Sequence, residues 1–344
     1  PRGGTIEYYM KNNLILVLGY GVASNAYISL LENNKHNFAV LGSSLDKKKI
    51  YNAKIKRSTE YAKNNPSLFL KSRFYYHTEY EKINLKKIEY VIIGTNSKGI
   101  KWVSEFIKKT NINTKFLILT KGLMFYKKKI MTISEYLKIF TGRKNFVMSA
   151  GPCLANELLN KKFTQTVFSS RNILNAKKFK KILSTKYYSP EVNNDLFGSE
   201  ICAAIKNIYA IIIGSSLSNI KKNNLTNFNT SSYLFNQSLK EMCIISKKFG
   251  GSYSSVFGIA GVGDLYVSVL GGRNSKLGSF LGKKLIYKDI IKNQMKNITV
   301  EGADLVKSHG RLLLKKVGKK NLPLLNSLCN SILSNKKLNL SINS

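Results

Sequence analysis

The spacing of apolar positions changes character part-way along the chain. Leu14–Leu18 is a continuous apolar run ending in Gly19-Tyr20-Gly21, and small residues with apolar positions at Ala26, Ile28, Leu30 and Leu31 follow it. That order predicts a strand, a tight turn and a helix. Short apolar runs at 38–41, 90–93 and 116–119 predict three more strands, with helix-like spacing at 102–108 between the later two. Strands alternating with helices imply a parallel sheet covered on both faces. Runs at 146–148 and 166–168 extend the sheet on either side of Ser149-Ala150-Gly151-Pro152. After about residue 190 the spacing becomes helical, as at Ile201, Ala204, Ile208 and Ile211 and again over 234–249. The expected fold class is α/β for a first domain over 11–193, followed by a mainly α-helical domain over 194–344. Residues 1–10 are expected to be an extension outside both.

Composition agrees with this plan and narrows it. A chain of 344 residues is long enough for two cores. Its 43% hydrophobic and 22% charged residues are ordinary globular values. Charge is the outlier: 56 Lys plus Arg against 18 Asp plus Glu give +38, which read naively suggests a polyanion partner. The lysines are spread from end to end, in runs such as Lys47-Lys48-Lys49, Lys127-Lys128-Lys129 and Lys319-Lys320, rather than gathered in one patch. This reads as drift in an AT-rich genome, and no specific nucleic-acid partner is expected. Four widely spaced cysteines and three histidines give no metal-ligand or disulfide pattern, so no metal is expected and a reducing, cytoplasmic setting is the default. The apolar stretch 201–214 is too short for a bilayer and carries Lys206 and Asn207, so it predicts a buried helix and no membrane insertion. Residues 1–9 lack the apolar core of a signal peptide.

The turn after the first strand carries the first chemistry. In Gly19-Tyr20-Gly21 the first glycine makes the tight turn and the second lets backbone approach a pyrophosphate. The helix opening at Val22 and Ala23 would aim N–H groups at the phosphates. The pattern opens the fingerprint of a Rossmann-type dinucleotide-binding domain, with NAD or NADP as the expected cofactor; a plain strand-turn-helix would read the same from this turn alone. Ser24 replaces the third glycine, and Ala26 is the small residue beyond it. No acidic residue ends the second strand, where Leu41 leads into Gly42-Ser43-Ser44. Ser43, Ser44 or Lys47 could meet either ribose, so the choice of cofactor stays open.

Four islands then occur in order: Thr120-Lys121-Gly122; Gly151-Pro152 with Ala155 and Glu157; Ala204-Ile205-Lys206-Asn207 running to Gly214; and Gly261-Val262-Gly263-Asp264-Leu265 with Arg273-Asn274 and, later, Val300-Glu301-Gly302. With the glycine turn they resemble the NAD(P)-dependent glycerol-3-phosphate dehydrogenase family over 14–313. The resemblance implies a nucleotide-binding domain followed by a helical substrate domain. It also implies reduction of dihydroxyacetone phosphate, a small phosphorylated substrate, and a product that feeds phospholipid synthesis. Lys121 and Lys206 would line the site between the domains, with Lys206 as the general acid and Asp264 beside the lysines. Asn207, Ser268, Arg273 and Asn274 would hold the substrate, the Arg-Asn pair by its phosphate. Gly19, Tyr20, Gly21, Val22, Ala23, Ser43, Lys121, Ala155, Arg273 and Glu301 would meet the cofactor. A homodimer is left open.

The residue types make chemical sense on their own. Reducing a ketone places negative charge on its oxygen, which a positioned ammonium stabilises and protonates. Burial between Ile205 and Ile208 would bring such an ammonium towards its working range. A planar guanidinium grips two phosphate oxygens at once. The chain departs from the family at the third glycine, at Thr95-Asn96-Ser97 where a proline is expected, and in lacking an arginine after the second strand. Two rival readings stand beside this one: a related reductase of another small keto acid, and a decayed, noncatalytic copy with a basic surface.

Overall fold

In the computed structural model, which describes residues 14–56, 73–217 and 227–340, the first apolar run forms β1 (Leu14–Leu18) at the centre of a sheet. The expected extension at 1–10 lies outside the described residues. The other strands are β2 (Phe38–Leu41), β3 (Phe74–Tyr75), β4 (Ile88–Ile93), β5 (Lys115–Ile118), β6 (Met124–Tyr126), β7 (Lys129–Met131), β8 (Phe146–Ala150), β9 (Val167–Ser169) and β10 (Glu191–Asn193). Among the described residues eight of them form one sheet in the order β10-β9-β8-β5-β4-β1-β2-β3. Leu18 pairs with Leu41 on one side and Ile93 on the other, which brings the C-terminal ends of three parallel strands together.

The strand sequences are continuously apolar because both faces are covered. Ile15, Val17, Val40, Ile92, Leu117 and Val147 share a core with the helices α1 (Val22–Asn33) and, later in the chain, Ile173–Leu183. Their neighbours Leu16, Leu18, Val91, Ile93, Phe116 and Ile118 alternate to the other face and are equally buried. The remaining helices of this region are α2 (Lys47–Lys56), α3 (Ile100–Thr110), α4 (Ile133–Thr141) and α5 (Ala155–Leu159), which makes Ile173–Leu183 α6. The α/β class read from the spacing is therefore what the chain adopts.

Two details differ from the sequence reading. Strand β9 runs antiparallel to β8, so the sheet is mixed at that edge. The chain turns back there through Gly151, whose φ of +102° suits a residue without Cβ. The second is the hairpin β6–β7, which the apolar spacing did not predict. Its turn uses Lys127 and Lys128, at φ 46° and 62°, where Asn-Gly is the usual signal.

The described chain divides into two compact units. One runs to Lys121 and resumes over Ile133–Leu196; the other joins Gly122–Thr132 to the chain from Phe197 onward. The sequence reading placed its boundary at 193/194 and did not separate the hairpin.

The second unit is mainly helical. It is built on α7 (Leu196–Ser216), with α8 (Phe228–Lys248), α9 (Tyr253–Phe257), α10 (Asp264–Gly271), α11 (Arg273–Gly282), α12 (Tyr287–Asp289), α13 (Glu301–Leu305), α14 (Arg311–Val317) and α15 (Pro323–Leu333). Among the described residues α7 alone is long and apolar enough to cross a bilayer, yet 94% of its apolar window is buried inside the protein. Glycines set how closely its neighbours approach. A Cβ at Gly214 would lie 2.5 Å from the Ser275 carbonyl oxygen, and one at Gly278 would strike the Ile211 carbonyl. Asn207, further back along α7, meets the Asn274 side chain of α11 across Gly302, where a Cβ would strike both. Glu241 of α8 accepts the N–H groups of Leu324 (2.6 Å) and Leu325 (3.1 Å), capping the start of α15.

Candidate active site

In the first unit the turn between β1 and α1 is made of backbone. Gly19 takes φ +88° and its N–H donates to Leu41 O (2.8 Å) at the end of β2. Gly21 is extended and precedes α1, whose first turn has no acidic residue and no side-chain cap. Val22 and Ala23 are exposed there. Such a helix start favours anions through its N–H groups and dipole, so these residues fit a dinucleotide pyrophosphate.

Ser24, in place of the third glycine, is buried and donates to Gly94 O (3.1 Å). The third glycine of the pattern permits close helix–strand packing. Here the clearance comes from the opposite side, because a Cβ on Gly94 would collide with the Ser24 hydroxyl. The missing proline is also accommodated: Asn96 accepts from Gly99 N (3.0 Å) and caps the turn into α3.

Beyond β2, Ser43 donates from both its N–H (2.9 Å) and its hydroxyl (2.6 Å) to Asp46 Oδ2, which also accepts the N–H of Tyr20 (3.1 Å). Sequence reasoning missed Asp46. It sought an acid directly after Leu41, and this one stands three residues beyond Ser43, where a capping acid looks ordinary. Lys121 follows β5 and donates to Gly151 O (3.1 Å) in the turn after β8; Ala155 opens α5, packed against the core.

In the second unit the predicted residues converge through side chains. Lys206 of α7 forms an ion pair with Asp264, and their side chains are 9% and 2% exposed. Asp264 opens α10 directly after one turn of π-helix over Ile259–Gly263. That turn packs so tightly that a Cβ on Gly261 would strike the Val256 carbonyl. Ser268 donates to the Asp264 carbonyl (2.7 Å) one turn along α10.

One step along α7, Asn207 Nδ2 donates to Glu301 Oε2 (2.8 Å), and Glu301 Oε1 lies 3.4 Å from Arg273 Nη2. Asn274 is buried and its Oδ1 accepts Gly302 N (2.8 Å). Gly302 is required at that spot, since a Cβ would lie 2.8 Å from Asn274 Oδ1 and closer still to the Asn207 carbonyl. The structure thus brings Lys206 to Asp264, which Ser268 meets at its carbonyl, and Asn207 to Arg273, Asn274 and Glu301. Gly19, Tyr20, Gly21, Val22, Ala23, Ser43, Lys121 and Ala155 lie in the first unit.

The chain matches two family models that continue one another. The model of the NAD-dependent glycerol-3-phosphate dehydrogenase N-terminus matches residues 14–176, and that of its C-terminus matches 195–343. Among curated proteins it is 28% identical to the NADP(+)-dependent glycerol-3-phosphate dehydrogenase of Archaeoglobus fulgidus, over 79% of this chain and 81% of that one. It is 29% identical to the glycerol-3-phosphate dehydrogenase [NAD(P)+] of Mycoplasma mobile, over 94% of this chain and 93% of that one. The solved structure of Plasmodium falciparum glycerol-3-phosphate dehydrogenase shares the fold, with a TM-score of 0.80, 18% identity and 99% of each chain covered.

Proposed function

The chain belongs to the NAD-dependent glycerol-3-phosphate dehydrogenase family, and from that premise we propose that it interconverts dihydroxyacetone phosphate and glycerol 3-phosphate with NAD(H) or NADP(H). The observation that carries this reading is the buried Lys206–Asp264 ion pair, with Arg273 and Asn274 in the same unit. A nicotinamide cofactor, when bound, supplies the hydride. The protein's part is to hold the ketone and to provide a proton at its oxygen.

Lys206 is the proton donor in this proposal. Its ion pair with the Asp264 carboxylate holds the buried side chain in place. A charged donor held in a dry setting stabilises the developing oxyanion more than one in water does. Lys121 acts as a second cation from the first unit. Ser268 is placed by its bond to the Asp264 carbonyl, and its oxygen retains lone pairs for a substrate hydroxyl. Arg273, with Asn207 and Asn274 beside it, takes the phosphate of the small substrate, converting remote binding into position at the carbonyl. Glu301 serves the cofactor, which Arg273 meets less closely than it meets the phosphate.

The wider setting follows the same proposal. Product supply to phospholipid synthesis and a cytoplasmic location fit the enzyme class. A homodimer is consistent with exposed apolar side chains on the second unit, Phe257 at 62% and Leu270 at 68% among them. The net charge of +38 adds a general field that draws in an anionic substrate.

The test follows NADH and, separately, NADPH absorbance on adding dihydroxyacetone phosphate to the purified chain. Substrate-dependent oxidation is expected, and its absence with both cofactors contradicts the proposal. Arg273→Ala should raise KM for the phosphorylated ketone about tenfold or more, the loss of one charge-assisted contact, and leave KM for the cofactor much closer to wild type. Equal loss of both would remove Arg273 from the phosphate.

A further inference from the structure

The backbone of Tyr20, the middle residue of the cofactor turn, is held at both its polar atoms by one short segment beyond β2. Asp46 Oδ2 accepts the Tyr20 N–H (3.1 Å), and Lys49 Nζ donates to the Tyr20 carbonyl (3.4 Å). The same carboxylate oxygen takes the N–H and hydroxyl of Ser43. Asp46 is 8% exposed, although its neighbours Lys47 and Lys48 are exposed. A buried charge that accepts three hydrogen bonds from two different loops is a tie between them.

In this fold the adenosine ribose lies beside the end of the second strand, where an acid favours the free 2′-hydroxyl of NAD and an arginine accommodates the 2′-phosphate of NADP. Residues 14–56 contain no arginine. Arg73 stacks over Phe38, at the opposite end of β2 from Ser43. The Ser43 hydroxyl already donates to Asp46. Among the described residues, what stands just beyond β2 is one buried carboxylate and several exposed lysines. The lysines are screened by water, whereas the carboxylate acts through protein of lower dielectric.

We propose that Asp46 is a positioning residue for the cofactor turn, which latches Tyr20 to the segment after β2 and places a buried negative charge that disfavours a 2′-phosphate. Two properties of one side chain are involved, and they separate by substitution. Asp46→Ala removes both latch and charge. Asp46→Asn keeps an acceptor oxygen for the Tyr20 N–H and removes only the charge.

Equilibrium binding of NADH and NADPH to the full chain, read by nicotinamide fluorescence beside thermal melts, tests this without any turnover. Asp46→Ala should bind NADH about tenfold more weakly, the loss of a hydrogen bond to a charged group. Asp46→Asn should bind NADH within about twofold of wild type and shift the NADPH-to-NADH affinity ratio about tenfold towards NADPH, one repulsive contact's worth. Wild-type NADH affinity in Asp46→Ala, or an unchanged ratio in Asp46→Asn, overturns the proposal. Should Asp46→Ala fail to fold, the ratio in Asp46→Asn decides alone. Failure of every form, wild type included, to bind either cofactor would instead count against the dehydrogenase reading on which this inference rests.

Discussion

The cofactor turn of the first unit is made of backbone, whereas the charged centre of the second is made of side chains. At Gly19 and Gly21 what matters is φ, an N–H direction and the absence of a Cβ. At Lys206, Asp264 and Arg273 what matters is a particular charged group. The difference shows in how each region tolerates change. The turn has lost its third glycine to Ser24 and recovers the clearance through Gly94 on a neighbouring strand. If Lys206 is the proposed proton donor, no comparable exchange is open to it, because no backbone atom donates a proton as an ammonium does. Sites built from main chain can drift in sequence while their geometry survives; sites built from side chains keep their letters.

The comparison can be broken most directly at the ion pair. Asp264→Ala leaves the Lys206 ammonium buried without its counter-charge, and removing one partner of such a pair is expected to destabilise by about 3–5 kcal/mol. Chemical denaturation measures this, and an unshifted midpoint would mean that Lys206 reaches water.

Each unit also buries a glutamate, and the pair sharpens the contrast in partners. Burial pushes Glu32 up to about 7 against the opposing field of Arg73, and pushes Glu241 up to about 7 against the bonds from Leu324, Leu325 and Tyr209. Both are raised, so the folded chain keeps protons that the unfolded chain releases. Their contribution to stability is fully present below the ordinary carboxylate value of 4.5 and is lost as pH rises through about 7. For one group it is at most about 3 kcal/mol. Glu241→Gln should make the fall in stability between about pH 5 and 8 shallower, with Glu32 still titrating and His36 and His309, both lowered by burial, acting in the opposite direction. A wild-type slope in the variant would remove Glu241 as a cause.

The smallest effect belongs to the turn. Ser24→Ala loses one hydrogen bond to Gly94 O, about 0.5–1.5 kcal/mol of stability, and should leave NADH affinity within about twofold, because the side chain does not face the cofactor in this account. A thermal melt and a binding titration check it. A large loss of NADH affinity would make this side chain part of the site.

The same division explains what could be read from the sequence. Lys206-Asn207, Gly261-Val262-Gly263-Asp264 and Arg273-Asn274 stood out because their residue types suit the proposed chemistry, and the continuous apolar runs of β1, β2 and β4 were legible because both sheet faces are covered. Asp46 was not, since nothing in Ser-Ser-Leu-Asp distinguishes a helix cap from a tie to a turn 26 residues away. The link from Asn207 to Glu301 spans 94 residues and depends on Gly302 letting α13 meet α7. The β6–β7 hairpin escaped because lysines occupy its left-handed turn positions, against their usual preference. The antiparallel β9 escaped because a short apolar run carries no direction.

Lys206 is proposed to protonate the ketone oxygen, and the most direct measurement is kcat of Lys206→Ala for dihydroxyacetone phosphate with its NADH dissociation constant determined alongside. A general acid at Lys206 predicts a kcat lowered about 10²–10⁴-fold at unchanged NADH affinity. A variant that turns over at the wild-type rate would contradict it.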